Sequence, residues 1–416
     1  MIHFEKSLPS LALYMQPVRG QATEWIAYRW RYVITRGLMI QFFILLLVFI
    51  MYNATLSAGE NVVKNSKVAQ LLSELSSTNA PGFQYVVVNS DSVLLEYSAG
   101  KADIKNKVAL SSSHTMAAFS MTKTLTAIAV LQLLEQQKLQ LHDKISHYVE
   151  HPYSAKITIR QLLNHTSGLP DPIPLKWVHL ANKDSTFDEK KALAKVLLEH
   201  PKTASKPGEK YQYSNIGFWL LGGVIETASG LSYGEYIRKN IFEPLHLSEN
   251  EISFSIIQAD NHAKGYLKKY SFMNLFKTFL IEDTTWGEYE ENWLHINNLY
   301  LNGPAFGGAI GSASAFSRIL QSLLSEQSVL LGTSVKQHLY VQEKDNSGNA
   351  INMTLGWHIG ELNDKKYYFK EGGGAGFHSE MRIYPEMNLA TVLMVNSTSF
   401  NTSRQLNKLD LAVMDQ

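Results

Sequence analysis

From Gly37 to Gly59 the chain carries no charged residue, and Leu38 to Tyr52 is apolar at every position except Gln41. A run that is apolar all round has no polar face to leave in water, so it belongs in a bilayer or in a fully enclosed core. The 23 residues of the run, wound as a helix at about 1.5 Å each, reach roughly 34 Å and span a hydrocarbon layer of about 30 Å. The flanks favour the bilayer. Lys6, Arg19, Arg29, Arg31 and Arg36 precede the run against only Glu5 and Glu24, and a basic excess of this kind marks the cytoplasmic side. The layout expected is therefore a cytoplasmic segment over 1–36, a transmembrane signal-anchor over 37–59, and a body over 60–416 in the periplasm or outside the cell. Leu56-Ser57-Ala58 offers a small-residue cleavage site whose use near Ala58 would release a secreted body. A leader of 36 residues is long for a signal peptide, which favours an uncleaved anchor.

The whole chain has the composition of a folded protein. With 45% hydrophobic and 18% charged residues and a formal net charge of +1, it is too apolar to stay disordered. Lysine plus arginine at 38 against aspartate plus glutamate at 37 leaves no basic surplus, so nucleic acid is not an expected partner. The absence of cysteine excludes disulfides, thiolate metal sites and a cysteine nucleophile. There is no His-Glu-x-x-His, and His142, His147 and His151 are spaced around a helix end, so neither a metal nor a cofactor is expected. No fixed-period repeat and no Pro/Gly/Ser linker divides 60–416.

Val62 to Ser76 has the spacing of an amphipathic helix. Phe83 to Val88 and Ser92 to Tyr97, joined by Asn89-Ser90-Asp91, read as a strand pair with a polar turn. Thr122 to Gln136 and Gly217 to Ser229 are dense enough in apolar residues for buried helices. Short β-branched and aromatic runs return at Leu355–Ile359, Lys366–Phe369, His378–Tyr384 and Leu389–Val395, with a last helix from about Ser403. Strands at both ends with helices between them imply a sheet-bearing lobe (about 60–118 and 302–416) interrupted by a helical lobe (about 119–301).

Ser120-Met121-Thr122-Lys123 stands where the first long apolar helix begins, and a three-residue step puts serine and lysine on one helical face. A serine hydroxyl attacks well only when a neighbouring base takes its proton, and a lysine held within reach can do so. Tyr213-Ser214-Asn215 follows, between the turn Lys206-Pro207-Gly208 and the helix at Gly217. Lys370-Glu371-Gly372 comes last, in a glycine-rich segment entering a strand.

Together these residues resemble the serine β-lactamase and penicillin-binding superfamily, whose motifs Ser-x-x-Lys, Tyr-x-Asn and Lys-Thr-Gly or His-x-Gly occur in this chain order. The likeness extends to Ile157-Thr158-Ile159-Arg160-Gln161-Leu162-Leu163-Asn164-His165-Thr166-Ser167-Gly168-Leu169-Pro170, to Phe242-Glu243-Pro244-Leu245 and to the glycine-rich 305–312. It covers most of residues 80–400 and is nearest the class C β-lactamase-like esterases, D-amino-acid peptidases and carboxypeptidases. The resemblance implies an α+β, β-lactamase/transpeptidase-like fold, with an antiparallel sheet flanked by helices and an inserted all-helical lobe, preceded here by the transmembrane helix. It implies that Ser120 is acylated, that Lys123 holds or relays its proton, and that Asn215 orients Lys123 and the substrate. Tyr213 becomes a general base whose phenolate is favoured by Lys123 and Lys370. The backbone N–H groups of Ser120 and Gly373, beside Gly372, would receive the oxyanion.

Two tempting alternatives are set aside. His165 invites a Ser-His-Asp triad, but in the family its segment is structural. Gly230-Leu231-Ser232-Tyr233-Gly234 matches the nucleophile elbow Gly-x-Ser-x-Gly, yet helix rather than strand precedes it. One departure from the family concerns specificity. Glu371 replaces the hydroxyl residue that helps to hold a substrate carboxylate, and like charges in a partly desolvated pocket repel. Lys370, rather than Glu371, takes the electropositive position, because it restores the family's seven-residue step to Phe377. The aromatic stretch from Tyr270 to Tyr300 matches no family motif and reads as core of the helical lobe, as an apolar wall or lid over Ser120 that selects acyl chains, or as a surface dipping into the adjacent bilayer.

The function expected is a membrane-anchored, extracytoplasmic serine hydrolase acting on a small-molecule or peptide ester or amide. A DD-carboxypeptidase or class C-like β-lactamase is the alternative on the same fold. A catalytically idle scaffold is the alternative from another class.

Overall fold

The two strands with the most continuous apolar sequence come from opposite ends of the body and pair with each other. The computed structural model describes residues 67–77, 80–275, 277 and 283–415. Among these a seven-stranded antiparallel sheet is built from β1 (Gly82–Val88), β2 (Val93–Asp103) and β3 (Val108–Ala109). After a long insertion it is completed by β4 (His358–Leu362), β5 (Lys365–Gly374), β6 (Phe377–Tyr384) and β7 (Leu389–Val395). The spatial order is β4-β5-β6-β7-β1-β2-β3. In the central pair, Phe83 stands opposite Val395 and Val88 opposite Ala390.

Every residue of β1 and β7 is buried, which requires cover on both faces. Alternation supplies the two sets. Val86, Val88, Met381, Ile383, Ala390, Val392 and Met394 join the main core with the helices, and the residues between them turn to the opposite face.

The helix expected over 62–76 is present as α1 (Lys67–Ser76), with 62–66 outside the described residues. The two apolar helices are α2 (Thr122–Glu135) and α3 (Asn215–Ser229), which pack on each other in the main core. Helix α4 (Ala313–Leu324) lies on β7 and β1 through Ala315, Phe316, Ile319, Leu320 and Leu323, whose spacing makes one apolar stripe. Helix α5 (Thr402–Met414) lies on β6 and β7, with Leu406, Leu409 and Ala412 buried.

The inserted lobe is not all-helical. Val178–Leu180 pairs with Leu299–Leu301, and Gly265–Lys268, Trp293–Ile296 and Trp286–Glu290 form a further antiparallel sheet. The aromatic stretch from Tyr270 to Tyr300 thus contains a β-hairpin turning at Glu291-Asn292, with Glu291 in the left-handed region at φ 55°. The physical reason is period. Leu294 and Ile296 are buried while Trp293 and His295 are half-buried, a two-residue alternation that aromatic and β-branched side chains favour and a helix cannot use. Residues 71–416 make one unit and 1–70 another. No helix among the described residues is long and apolar enough to cross a membrane. The cytoplasmic segment over 1–36 and the span over 37–59 lie outside them.

Candidate active site

The Ser120 turn is set by strain and by a missing side chain. Ser120 occupies a 3-10 turn, Phe119–Met121, that runs directly into α2. Phe119 sits at φ 47°, a conformation that costs a bulky residue free energy and persists only when its surroundings hold it. Strand β5 does the holding. A Cβ on Gly372 would stand 2.0 Å from the carbonyl oxygen of Ala118, so only glycine lets the strand lie this close to the turn. Lys123, the second residue of α2 and three residues after Ser120, is fully buried.

Ser214 starts α3 by capping it, its Oγ accepting the N–H of Gly217 at 3.2 Å. That cap fixes Tyr213 just before the helix and Asn215 at its first position. The three motifs then converge. Ser120 Oγ is hydrogen bonded to Tyr213 Oη at 2.8 Å. Lys123 Nζ lies 3.0 Å from Ser120 Oγ, 2.7 Å from Asn215 Oδ1 and 2.7 Å from the carbonyl oxygen of Phe306. Lys370 Nζ, also buried, is 5.3 Å from the centre of the Tyr213 ring and has no hydrogen-bond partner among the described residues.

A residue outside the motifs fixes the orientation of this array. Asn215 donates through both its backbone N–H and its Nδ2 to Asp171 Oδ1, at 2.9 and 3.0 Å. A carboxylate oxygen accepts, so the amide nitrogen must face Asp171 and the amide oxygen must face Lys123. Lys123 is then bounded by two oxygens that only accept, Asn215 Oδ1 and the Phe306 carbonyl. They take two N–H bonds, and the remaining tetrahedral position points at the Ser120 hydroxyl.

Burial decides the protonation of this array. It pushes the Lys123 amine well below its ordinary value, Lys370 adding to the effect and Asp171 opposing it. Burial brings Lys370 down to about 7. The same burial pushes the Tyr213 phenol up, against a smaller opposing effect of its hydrogen bond to Ser120. The phenolate expected at Tyr213 is therefore disfavoured, because the burial that holds the two amines down also penalises the phenolate. Burial thus favours the unprotonated amine, whose lone pair would face the Ser120 hydroxyl, and the protonated phenol at Tyr213.

The family model described as Beta-lactamase matches residues 67–413. This chain belongs to the beta-lactamase family. Its relatives include Protein flp of Staphylococcus aureus (strain COL), 26% identical over 356 residues, with 82% of this chain and 65% of the relative covered. Penicillin-binding protein 4* of Bacillus subtilis (strain 168) is 29% identical over 299 residues, covering 70% of this chain and 62% of the relative. The chain thus spans less than two thirds of the length of these two relatives. Among solved structures, an octameric penicillin-binding protein homologue from Pyrococcus abyssi matches with a TM-score of 0.68 and 21% identity, over 84% of this chain and 77% of that one. The D-amino acid amidase of Ochrobactrum anthropi SV3 in complex with D-phenylalanine matches with a TM-score of 0.70 and 18% identity, over 84% and 98%. At these identities the structural likeness is one of fold.

In this beta-lactamase-family chain the two tempting alternatives have structural jobs. His165 accepts the N–H of Ser214 through Nδ1 at 3.2 Å and packs its ring 4.4 Å from that of Tyr213, so it supports the tyrosine from beneath. Ser232 caps the short helix Tyr233–Ile237 in a reciprocal box with Glu235, and Gly230 ends α3 at φ 75°. A strand-borne elbow is absent there.

A cavity of about 420 Å³ opens beside the serine turn, lined by Tyr213, His358, Phe369, Glu371, Gly373 and His378. Lys370 and Glu371, neighbours on β5, point apart. Lys370 packs beneath Tyr213, and Glu371 lines the cavity and pairs with His378 Nε2 at 2.6 Å. The electropositive position is thus filled by Lys370, and Gly372 and Gly373 carry β5 past the serine.

Four participants were not legible in the motifs: Asp171, the Phe306 carbonyl, His358 and His378. Asp171 had a faint signal, being the one acid in Leu169-Pro170-Asp171-Pro172-Ile173-Pro174. His358 reaches the site because β4 places it opposite Phe369, a register no local pattern reveals.

Proposed function

We propose that this chain is a membrane-anchored, extracytoplasmic serine hydrolase that cleaves an ester or amide through an acyl-enzyme on Ser120. The observation that carries the reading is the pair of contacts on Ser120 Oγ, Lys123 at 3.0 Å and Tyr213 at 2.8 Å, made across 93 residues of sequence in the case of Tyr213. Ser120 Oγ attacks the acyl carbon while its proton passes to the Lys123 lone pair. The backbone N–H groups of Ser120 and Gly373 receive the oxyanion, each donor typically worth about 3 kcal/mol. Tyr213, protonated and in contact with the serine, gives its proton to the leaving alcohol or amine and regains one from Lys123. Water then attacks the ester by the reverse path. The uncharged run over 37–59 and the basic excess before it support the anchor and its orientation.

The convergence of buried ionisable groups around one hydroxyl speaks against an idle scaffold, since such groups cost stability wherever they are not used. Fluorophosphonate labelling read by intact mass tests the reading. One adduct, mapped to the peptide carrying Ser120, is expected. Absence of any adduct would favour the scaffold, and rapid acylation by penicillin would favour the carboxypeptidase or β-lactamase alternative.

The pH profile follows from the protonation argument. The active form has Lys123 unprotonated, and burial holds its amine well below the ordinary value, so kcat/KM for an ester should rise with pH along a limb that lies below the ordinary lysine range, the neighbouring Lys370 titrating at about 7. The neighbouring Lys370 charge is one of the influences that hold the Lys123 amine down. Lys370→Met removes it, Lys123 then keeps its proton to higher pH, and the limb should move upward. A limb that stays in place would remove the lysine pair from the proton path.

A further inference from the structure

The aromatic stretch from Tyr270 to Tyr300 has no part in the acylation chemistry. Among the described residues, none from this stretch lines the cavity beside Ser120, so its aromatic side chains are not occupied with the reacting group. Its strands enclose a small core of their own, Leu267, Leu294 and Ile296, with Trp286, Leu299 and Ala375 packed against them. Trp286–Glu290 is an edge strand of that sheet.

What the stretch shows to solvent is aromatic and basic at once. Tyr270 is 83% exposed, Leu275 74% and Tyr289 47%, and exposed apolar groups that cluster mark a contact surface. Two lysines gather them into one patch. Lys269 Nζ lies 5.7 Å from the centre of the Tyr270 ring and 5.4 Å from that of Tyr289. Lys277 Nζ lies 4.9 Å from the centre of the Tyr289 ring and 3.2 Å from its Oη. The backbone beneath is tied down. Asn274, buried in the short helix Phe272–Leu275, accepts from Tyr289 Oη at 3.1 Å and donates to the carbonyl oxygen of Lys269 at 2.8 Å. Neighbouring acids are paired elsewhere, Glu288 with Lys105 and Glu290 with Lys264, each at 2.7 Å. With the exposed Glu291 at the hairpin turn set against Lys268, Lys269 and Lys277, the patch stays positive. Burial would raise the Tyr289 phenol, yet its bonds with Lys277 and Asn274 and the charges of Lys277 and Lys269 hold it below its ordinary value, as a positive surface should.

Tyrosine and lysine together settle at a membrane–water boundary, the ring at headgroup level and the amine on phosphate. We propose that the patch formed by Lys269, Tyr270, Leu275, Lys277 and Tyr289 rests on the anionic phospholipid surface of a bilayer. This adds a second contact to the anchor read over 37–59 and does not rest on the hydrolase reading. An apolar protein partner would have no use for the lysines, and a second copy of this chain would bring like charge against like.

The test exploits the absence of cysteine. Leu275→Cys in the full chain accepts one polarity-sensitive fluorophore, and Leu198→Cys, at a position 81% exposed on the helix Glu189–Glu199, serves as the control. Each is reconstituted with vesicles of phosphatidylcholine alone, or of phosphatidylcholine and phosphatidylglycerol in equal parts. The label at 275 should shift to blue emission with phosphatidylglycerol only, while the label at 198 stays aqueous in both. Lys269→Gln and Lys277→Gln should each lower the ratio of membrane-contacting to aqueous label by about fivefold, and high salt should lower it too. Fluorophosphonate labelling should be unchanged in these variants, showing an intact fold. A label at 275 that stays aqueous in both vesicles would overturn the proposal, as would an equal shift in both that the lysine variants leave unmoved. A blue shift that appears without lipid as protein concentration rises would overturn it in favour of self-association. Association with phosphatidylcholine vesicles that withstands alkaline carbonate reads the anchor separately, so failure of the patch and failure of the anchor are distinguishable.

Discussion

Ser120→Ala should give a folded protein that forms no acyl adduct and loses turnover by a factor on the order of 10³ to 10⁶. The size of the loss follows from the division of labour at the site. Lys123 and Tyr213 are spent on a single oxygen, at 3.0 and 2.8 Å, and neither can replace it. Tyr213 holds its proton in a buried setting that pushes the phenol up, and Lys123 is enclosed by Asn215 and Phe306. What remains is cavity binding and the oxyanion donors, which accelerate weakly without a nucleophile. Intact mass after fluorophosphonate and steady-state ester hydrolysis read the two effects separately. A variant that retains both would move the chemistry to another residue and undo the assignment.

Arg382→Met should destabilise the fold by about 3 to 5 kcal/mol, the range found when one partner of a buried charge cluster is removed. Arg382 on β6 is fully buried and donates from Nε to Glu380 at 2.6 Å and from Nη1 to Asp410 on α5 at 3.1 Å. Tyr384 donates to the same Asp410 at 2.7 Å. Without the guanidinium two carboxylates remain in a dry interface between sheet and helix. Their behaviour fixes a pH signature. Burial already raises both acids above their ordinary values despite Arg382, and its removal raises them further. A raised carboxyl holds a proton in the folded state that the unfolded chain releases, so it favours the fold at low pH and costs stability as pH rises through the carboxylate range. The deficit of Arg382→Met, measured by urea unfolding, should therefore be smaller at pH 5 than at pH 8. A loss under about 1 kcal/mol that does not vary with pH would mean that water reaches the cluster.

The sequence exposed the parts of this protein whose information is local. Strands β1 and β7 were legible because burial on both faces leaves an apolar run, and α2 because an enclosed helix is apolar on every side. Ser120, Lys123, Tyr213, Asn215 and Lys370 were legible as short motifs in a fixed order. The parts that depend on register were not. His378 reaches Glu371 because β6 pairs Gly373 with His378, and Asp171 reaches Asn215 across a loop. The burial that opposes a Tyr213 phenolate was hidden for a related reason: counting nearby cations is possible from motifs, but desolvation appears only when the surrounding side chains are in place. The hairpin at 286–296 was hidden by composition, since tryptophan and tyrosine serve a buried helix or a half-covered strand equally well until alternation is examined.

The central ladder joins residue 83 to residue 395, and this ordering has a consequence for biosynthesis. A growing polypeptide carries its serine turn first, yet the strand that flanks it and the one that closes the sheet are made only after the whole intervening insertion. Competence should therefore arrive abruptly once β7 has been made, and a stop codon anywhere before β7 should leave a product with no middle to its sheet rather than a shortened enzyme.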